Sequence, residues 1–253
     1  MDRQKWLEWL SKETEVPFEG WDFSYVGRTG RLQEAPLSWN YASLVTRKLP
    51  KITTLLDMGT GGGEFLSLLG PLPRQTYATE GYQPNVAVAR NRLEPLGITV
   101  VEADGEDTLP FPDETFDLII NRHESFDPHE LYRIAKSGAT FLTQQVGGEN
   151  DVLLNRLLGA AIPQDYLHWR ADYAVRQLEE AGFVIAQSRE ETVPSRFYDI
   201  GAVVYYLRAI PWQIPDFAPE VYADGLWQMH QQIEKDGYID IPSHRFLIEA
   251  VRR

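Results

Sequence analysis

The sequence predicts an open α/β fold, and three observations carry that expectation. Short β-rich apolar runs alternate with helical patterns through the middle of the chain, the signature of a parallel sheet with crossover helices. All but the last of those runs lead into a loop rich in Gly, Asp or Asn. No internal repeat or low-complexity tract interrupts the pattern, and 253 residues suffice for one large domain or two small ones.

The elements follow in chain order. At the start, MDRQKWLEWLSKE puts Trp6, Leu7 and Leu10 on one side of a short charged helix and lacks the apolar run of a signal peptide or membrane span. Strands are expected at Thr53–Met58, Gln75–Glu80, Ile98–Glu102, Phe116–Asn121 and Ala139–Val146, with a weaker pattern at Phe183–Glu191. Pro84 suits the first turn of a helix over Asn85–Leu96, and Gly97 supplies its stop. A sharper start lies at Asp127-Pro128-His129-Glu130. There Asp127 is the expected cap, Pro128 the first helical residue and Glu130 the closing member of a capping box, leading into Leu131–Lys136 and a stop at Ser137-Gly138. A further helix over Ala171–Ala181 ends at Gly182. The run from Asp199 to Leu207 reads as a capped helix or, by propensity, a strand; helix is preferred because His244–Val251 already supplies a final strand.

The two ends of the chain differ from this centre. Residues 1–50 and 192–243 together hold 17 of the 30 aromatic side chains. The expected architecture is therefore one Rossmann-like, doubly wound sheet in a single domain spanning residues 1–253. An N-terminal helical cap (1–50) precedes the core (51–191), and an aromatic-rich lid insertion (192–243) precedes the final strand (244–253).

Composition narrows the chemistry. With no cysteine, disulfide frameworks, thiolate zinc sites, iron–sulfur clusters and cysteine nucleophiles are excluded, and nothing points to an oxidising compartment. A net charge of −13 repels phosphate backbones, and no Lys/Arg run forms a basic patch. A cytoplasmic protein is expected, with nucleic acid disfavoured and no membrane partner; oligomeric state is left open.

The most specific stretch is Leu55-Leu56-Asp57-Met58-Gly59-Thr60-Gly61-Gly62-Gly63-Glu64-Phe65, an apolar strand running through Asp-x-Gly-x-Gly-x-Gly into a helix. Glycine there permits positive φ and lets a ligand lie against the backbone at the carboxyl edge of the sheet. A dinucleotide fingerprint would need a third glycine at position 64, where Glu64 would instead oppose a pyrophosphate. No Gly-Lys-Ser/Thr follows for a P-loop. The pattern resembles motif I of the class I S-adenosylmethionine (SAM)-dependent methyltransferases. A nucleoside without phosphates needs carboxylates for its ribose hydroxyls and polar caps for its adenine. The resemblance puts the ribose acid at Glu80, followed by Gly81, and the adenine contact at Asp104-Gly105. The run Leu109-Pro110-Phe111-Pro112-Asp113-Glu114-Thr115-Phe116-Asp117-Leu118-Ile119 is similar to the UbiE-like, or methyltransferase type 11, branch.

The resemblance spans residues 50–191 and implies a seven-stranded sheet with an antiparallel last strand, agreeing with His244–Val251. It implies SAM as cofactor, held by Asp57, Gly59, Thr60, Gly61, Gly63, Glu80, Gly81, Asp104, Gly105 and Asn121. Methyl transfer to a small or medium acceptor at N, O or C is the expected activity. His123, after the fourth strand, is the candidate general base, with a lining or packing role as the alternative. A metal reading of His123, Glu124 and His129 lacks His-Glu-x-x-His spacing, and no metal is expected.

For the acceptor, Tyr25, Trp39, Gln145 and Tyr205 are the candidate contacts; Trp21, Phe23, Tyr41, Phe197, Tyr198, Tyr206 and Trp212 are further lid aromatics, and Asn150 is a second polar group like Gln145. Cap core is the alternative for these aromatics. Two rival functions remain: an RNA methyltransferase of the guanine-N1 kind, for which a zinc module or basic face would be expected, and a non-catalytic SAM-binding sensor or partner module. After the fourth strand stands Asn121-Arg122-His123, not the Asn/Asp-Pro-Pro-Tyr/Phe of amino-group nucleic-acid methyltransferases.

Overall fold

A computed structural model of the chain describes residues 3–18, 22–105 and 108–253. In chain order these form α1 (Arg3–Thr14), α2 (Ser24–Gly27), β1 (Leu32–Glu34), α3 (Tyr41–Thr46), β2 (Thr54–Met58), α4 (Glu64–Ser67), β3 (Gln75–Glu80), α5 (Gln83–Leu93) and β4 (Thr99–Glu102). There follow β5 (Phe116–Arg122), α6 (Pro128–Ile134), β6 (Ala135–Val146), α7 (Val152–Leu158), α8 (Ala171–Glu180), β7 (Phe183–Phe197), α9 (Ile200–Ala209), α10 (Ala223–Asp236) and β8 (Ile239–Arg252). No described helix is long and apolar enough to cross a membrane.

The strands make one mixed sheet in the order β1-β7-β8-β6-β5-β2-β3-β4. Strands β4, β3, β2, β5 and β6 are parallel, and β8 runs antiparallel to β6. The count is eight where seven were expected, because Leu32–Glu34 adds a short antiparallel strand against Phe197–Ser195 of β7. The last two strands are also longer than their sequence patterns, β7 reaching Phe197 and β8 starting at Ile239.

Two compact units divide the chain. The sheet unit comprises Ser38–Gly147, Trp169–Glu191 and Arg245–Arg253; the flank unit comprises Met1–Leu37, Gly148–His168 and Thr192–His244. Each has a core of its own. In the sheet unit, Leu56, Phe116, Ile119, Phe141, Phe183 and Phe246 are buried together. In the flank unit, Trp6, Leu10, Phe197, Val203, Leu226 and Met229 do the same. Several flank aromatics belong to this core, with Tyr205 buried and Trp6 meeting Trp227 edge-on at 5.0 Å, whereas Tyr25, Tyr198 and Trp212 are exposed.

Side-chain caps explain the starts of α3, α6 and α9. The Asp127 carboxylate caps α6 by accepting the N–H groups of His129 (2.7 Å) and Glu130 (3.2 Å), ahead of Pro128 in the first turn. Glu130 does not close a capping box: it accepts the Leu109 N–H at 2.8 Å and pairs with Arg133, while the Asp127 N–H goes to the Gly105 carbonyl. Helix α6 stops at Ile134, not Lys136, because Ala135 is already paired with Phe116 of β5. Ser137-Gly138 therefore lies within β6, where the register shifts and Gly138 takes φ +79°. The ambiguous run after Asp199 is a helix, its first turn capped by the Asp199 carboxylate accepting the Ala202 N–H at 2.8 Å.

Candidate functional site

Chain order reverses between β2 and β5, and open α/β sheets bind ligands outside the carboxyl ends of their strands at such a switch point. Register sets Met58 beside Asn121 and Glu80 beside Glu102, so the loops after β2, β3, β4 and β5 leave from one edge of the sheet unit.

Asp57, next to last in β2, is almost fully buried, and its carboxylate accepts the Thr60 hydroxyl at 2.8 Å. Burial pushes this carboxyl up to about 7; the Thr60 bond and the Arg122 charge oppose the rise, and the Glu80 charge adds to it. Gly59, Gly61 and Gly63 all take left-handed φ, at 64°, 62° and 79°. They serve different neighbours. A Cβ on Gly59 would stand 2.4 Å from the Cβ of Glu124, so this position is glycine because the loop after β5 rests on it. At Gly61 an added carbon meets nothing closer than a Glu64 carboxylate oxygen at 4.0 Å, and the backbone there is open to a ligand. Gly63 is packed against Leu93, and Glu64 is engaged in an ion pair with Arg92.

Glu80 is only 5% exposed, yet its carboxylate is well held: one oxygen accepts the Gly61 N–H at 2.7 Å and the other the Tyr82 N–H at 2.8 Å. Each oxygen keeps a further lone pair for a ligand hydroxyl. Burial raises this carboxyl above its ordinary range, the N–H bonds from Tyr82, Gly61 and Gly81 resist, and the Asp104 charge adds to the rise. Gly81 lies against Asp104, whose Cα would be 3.2 Å from an added side chain. Gly105 is buried beneath the Ser125 carbonyl and bonds the Asp127 N–H through its own carbonyl at 3.2 Å.

The loop after β5 starts from Asn121, which is fully buried. Its Oδ1 accepts the Thr143 hydroxyl at 2.9 Å and the Gln145 amide at 2.6 Å, while Nδ2 has no partner among the described residues. A buried orphan donor costs about 1–3 kcal/mol, so such a group marks a place where a water or ligand oxygen is wanted. Gln145 Nε2 also lies 2.9 Å from the Glu124 carbonyl and 2.8 Å from Thr143 Oγ1. Next comes His123 in left-handed conformation (φ +67°), its N–H bonded to the Gln144 carbonyl at 2.9 Å. Burial, with the Arg122 and Arg245 charges, holds its imidazole well below the ordinary histidine range and so neutral at pH 7.

The predicted residues are therefore placed in two sets. Asp57, Gly59, Thr60, Gly61, Glu80, Gly81, Asp104, Gly105, Asn121, His123, Trp39 and Gln145 belong to the sheet unit; Tyr25 and Tyr205 belong to the flank unit, ring to ring at 4.8 Å, with the Tyr25 hydroxyl donating to Glu13 at 3.1 Å. Asn150 is also in the flank unit, where its Oδ1 accepts the His244 N–H at 3.1 Å. Trp21 lies outside the described residues.

The contacts of three residues escaped sequence reasoning, although Tyr41 is among the expected lid aromatics and Glu124 in the metal reading. The Tyr41 hydroxyl accepts the Asn121 N–H at 3.1 Å and stands 3.0 Å from the carbonyls of Asn121 and Leu142, bracing the end of β5. Glu124 rests on Gly59, and the Arg122 guanidinium lies over the Phe65 ring at 5.5 Å. Asn40, which caps α3, was the one local signal near Tyr41; the bonds themselves join residues about eighty positions apart and leave no trace in spacing. Among the described residues no group of three or more His, Asp or Glu side chains is placed to hold a metal ion.

Residues 56–143 match the family described as a methyltransferase domain. Among solved structures, a Bacillus halodurans protein provisionally assigned as a methyltransferase is 20% identical at a TM-score of 0.57, covering 83% of this chain and 98% of its own. The YcgJ protein of Bacillus subtilis is 17% identical, with a TM-score of 0.57 over 84% of this chain and 98% of its own. The [4+2]-cyclase SpnF is 17% identical, with a TM-score of 0.52 over 83% of this chain and 80% of its own. No curated protein matches the sequence. At these identities the solved structures share the fold.

Proposed function

We propose, from the methyltransferase domain carried by residues 56–143, that the protein transfers a methyl group from SAM to a small or medium-sized acceptor at N, O or C. The observation that carries the reading is the buried Glu80 carboxylate, fixed by two backbone N–H bonds next to the open backbone of Gly61. That pair suits a ribose diol beside a close-lying nucleoside. The carboxylates fit SAM in a second respect. Asp57, Glu80, Asp104 and Glu124 gather at the edge of the glycine loop, which favours a ligand with a cationic sulfonium and opposes a pyrophosphate. The orphan Asn121 Nδ2 adds a donor that the protein leaves unmet.

In this reading Glu80 accepts the ribose hydroxyls, Gly81, Asp104 and Gly105 border the adenine, and Asp57, Gly59, Thr60, Gly61 and Gly63 shape the loop beneath the cofactor. Bound SAM supplies a methyl group already activated by its sulfonium. What remains for the chain is to hold the acceptor in line and keep water out, which needs few groups acting chemically. Trp39 spends its only polar side-chain atom on Gln144, and Gln145 commits its Nε2 to Asn121, so in this reading Trp39 frames the acceptor side more than it grips a substrate. Because a cyclase shares the fold, the assignment to methyl transfer leans on the domain match and the pocket chemistry, not on architecture.

The test is Glu80→Ala. Loss of hydrogen bonds to a charged group is worth about 1.5–3 kcal/mol, so SAM affinity by calorimetry is expected to fall by roughly tenfold to more than a hundredfold. Unchanged affinity in a folded variant removes the assignment.

A further inference from the structure

Trp39, Gln144 and His123 form a line of side chains in the sheet unit whose hydrogen bonds can run in one direction only. An indole N–H donates and never accepts. The Trp39 Nε1–H reaches Gln144 Oε1 at 2.9 Å and thereby fixes which way the amide faces. The atom left opposite His123 Nε2, at 3.2 Å, is the Gln144 nitrogen, which also only donates. His123 Nε2 must then be the lone-pair nitrogen, and the ring proton sits on Nδ1.

The surroundings hold this arrangement in place. Trp39 and Gln144 are 7% and 6% exposed, so solvent offers their polar atoms little competition. The ring's own backbone is pinned by the His123 N–H to the Gln144 carbonyl at 2.9 Å. Nδ1 has no protein acceptor among the described residues and is not among the fully buried orphan atoms.

We propose that Trp39 and Gln144 are positioning residues that hold His123 as a hydrogen-bond donor through Nδ1 towards the ligand, not as a base. The substrate class this fits offers an oxygen lone pair, such as a carbonyl, carboxylate or phenolate oxygen. The only lone pair on the ring is spent on Gln144, so the acceptor's proton does not pass to His123. The ligand side of the inference rests on the methyltransferase reading; the tautomer does not, because it is a property of the free protein.

The experiment is NMR of the ring nitrogens in ligand-free protein carrying isotopically labelled histidine, with the His123 signals identified by their loss in His123→Gln. A protonated, pyrrole-type Nδ1 and a bare, pyridine-type Nε2 are expected in the wild type. Gln144→Glu sets an accepting carboxylate opposite Nε2 and should move the proton to that nitrogen. Trp39→Phe frees the amide to turn and should give averaged shifts even if Gln144→Glu fails to fold. A pyridine-type Nδ1 in the wild type, or shifts indifferent to both substitutions, overturns the proposal. Because no SAM is present, neither outcome can be confused with failure of the cofactor assignment.

Discussion

Asp57 sits where burial and ligand chemistry pull against each other. Its carboxyl is pushed from 3.8 to about 7 by desolvation, so the folded protein binds this proton more tightly than the unfolded chain does. The sign follows from linkage. The folded state binds more protons between those two values, and unfolding free energy from this group falls as pH rises from 3.8 to about 7. Asp57→Asn should flatten that part of the pH–stability profile, measured by denaturant unfolding of ligand-free protein; a slope that persists in the variant would assign it elsewhere. The placement of Asp57 and the three alternating glycines at the end of a strand was legible from local spacing, and that of Glu80 from the family resemblance. The orientation of Gln144, the bracing by Tyr41 and the seat of Glu124 on Gly59 were not, since all three depend on pairings set by the sheet.

At the scale of elements, the amino end of β5 shows how the sheet is fastened below the site. The Asp117 carboxylate accepts the N–H groups of Thr53 (2.8 Å) and Thr54 (3.0 Å), the Thr53 hydroxyl (2.6 Å) and the Lys136 ammonium (2.9 Å), joining β2, β5 and β6. Burial works to raise this carboxyl and is outweighed by the bonds from Thr53, Lys136 and Thr54, which hold it well below the usual carboxylate range. Asp117→Ala should destabilise by about 2 kcal/mol, the scale of hydrogen bonds to a charged group. It should also remove stability that the wild type loses as pH falls below 3.8, the ordinary value for Asp. Thermal unfolding at acidic and neutral pH checks both; equal stability of variant and wild type at neutral pH contradicts the account. The strand positions themselves were readable from apolar runs. The early start of β6 was not, because Ala135–Gly138 carries a helix-end pattern that pairing with β5 overrides. Nor were β1, α7 and α10, whose residues lie in the aromatic-rich ends or in a stretch of ordinary composition.

For the whole molecule, the aromatic contrast along the sequence has a physical counterpart in two separate hydrophobic cores. What composition did not show is that the units interleave along the chain. Residues 38–50 belong to the sheet unit and Gly148–His168 to the flank unit, although the sequence placed them in the cap and the core respectively. A net charge of −13 together with carboxylates around the glycine loop is the electrostatic basis of the proposed preference for a cationic nucleoside over a phosphate-bearing ligand. Calorimetric titration of the intact chain with SAM and, separately, with NADH tests that claim most directly. Saturable binding of SAM with no heat from NADH is the predicted result; binding of NADH, or no binding of SAM, would contradict it.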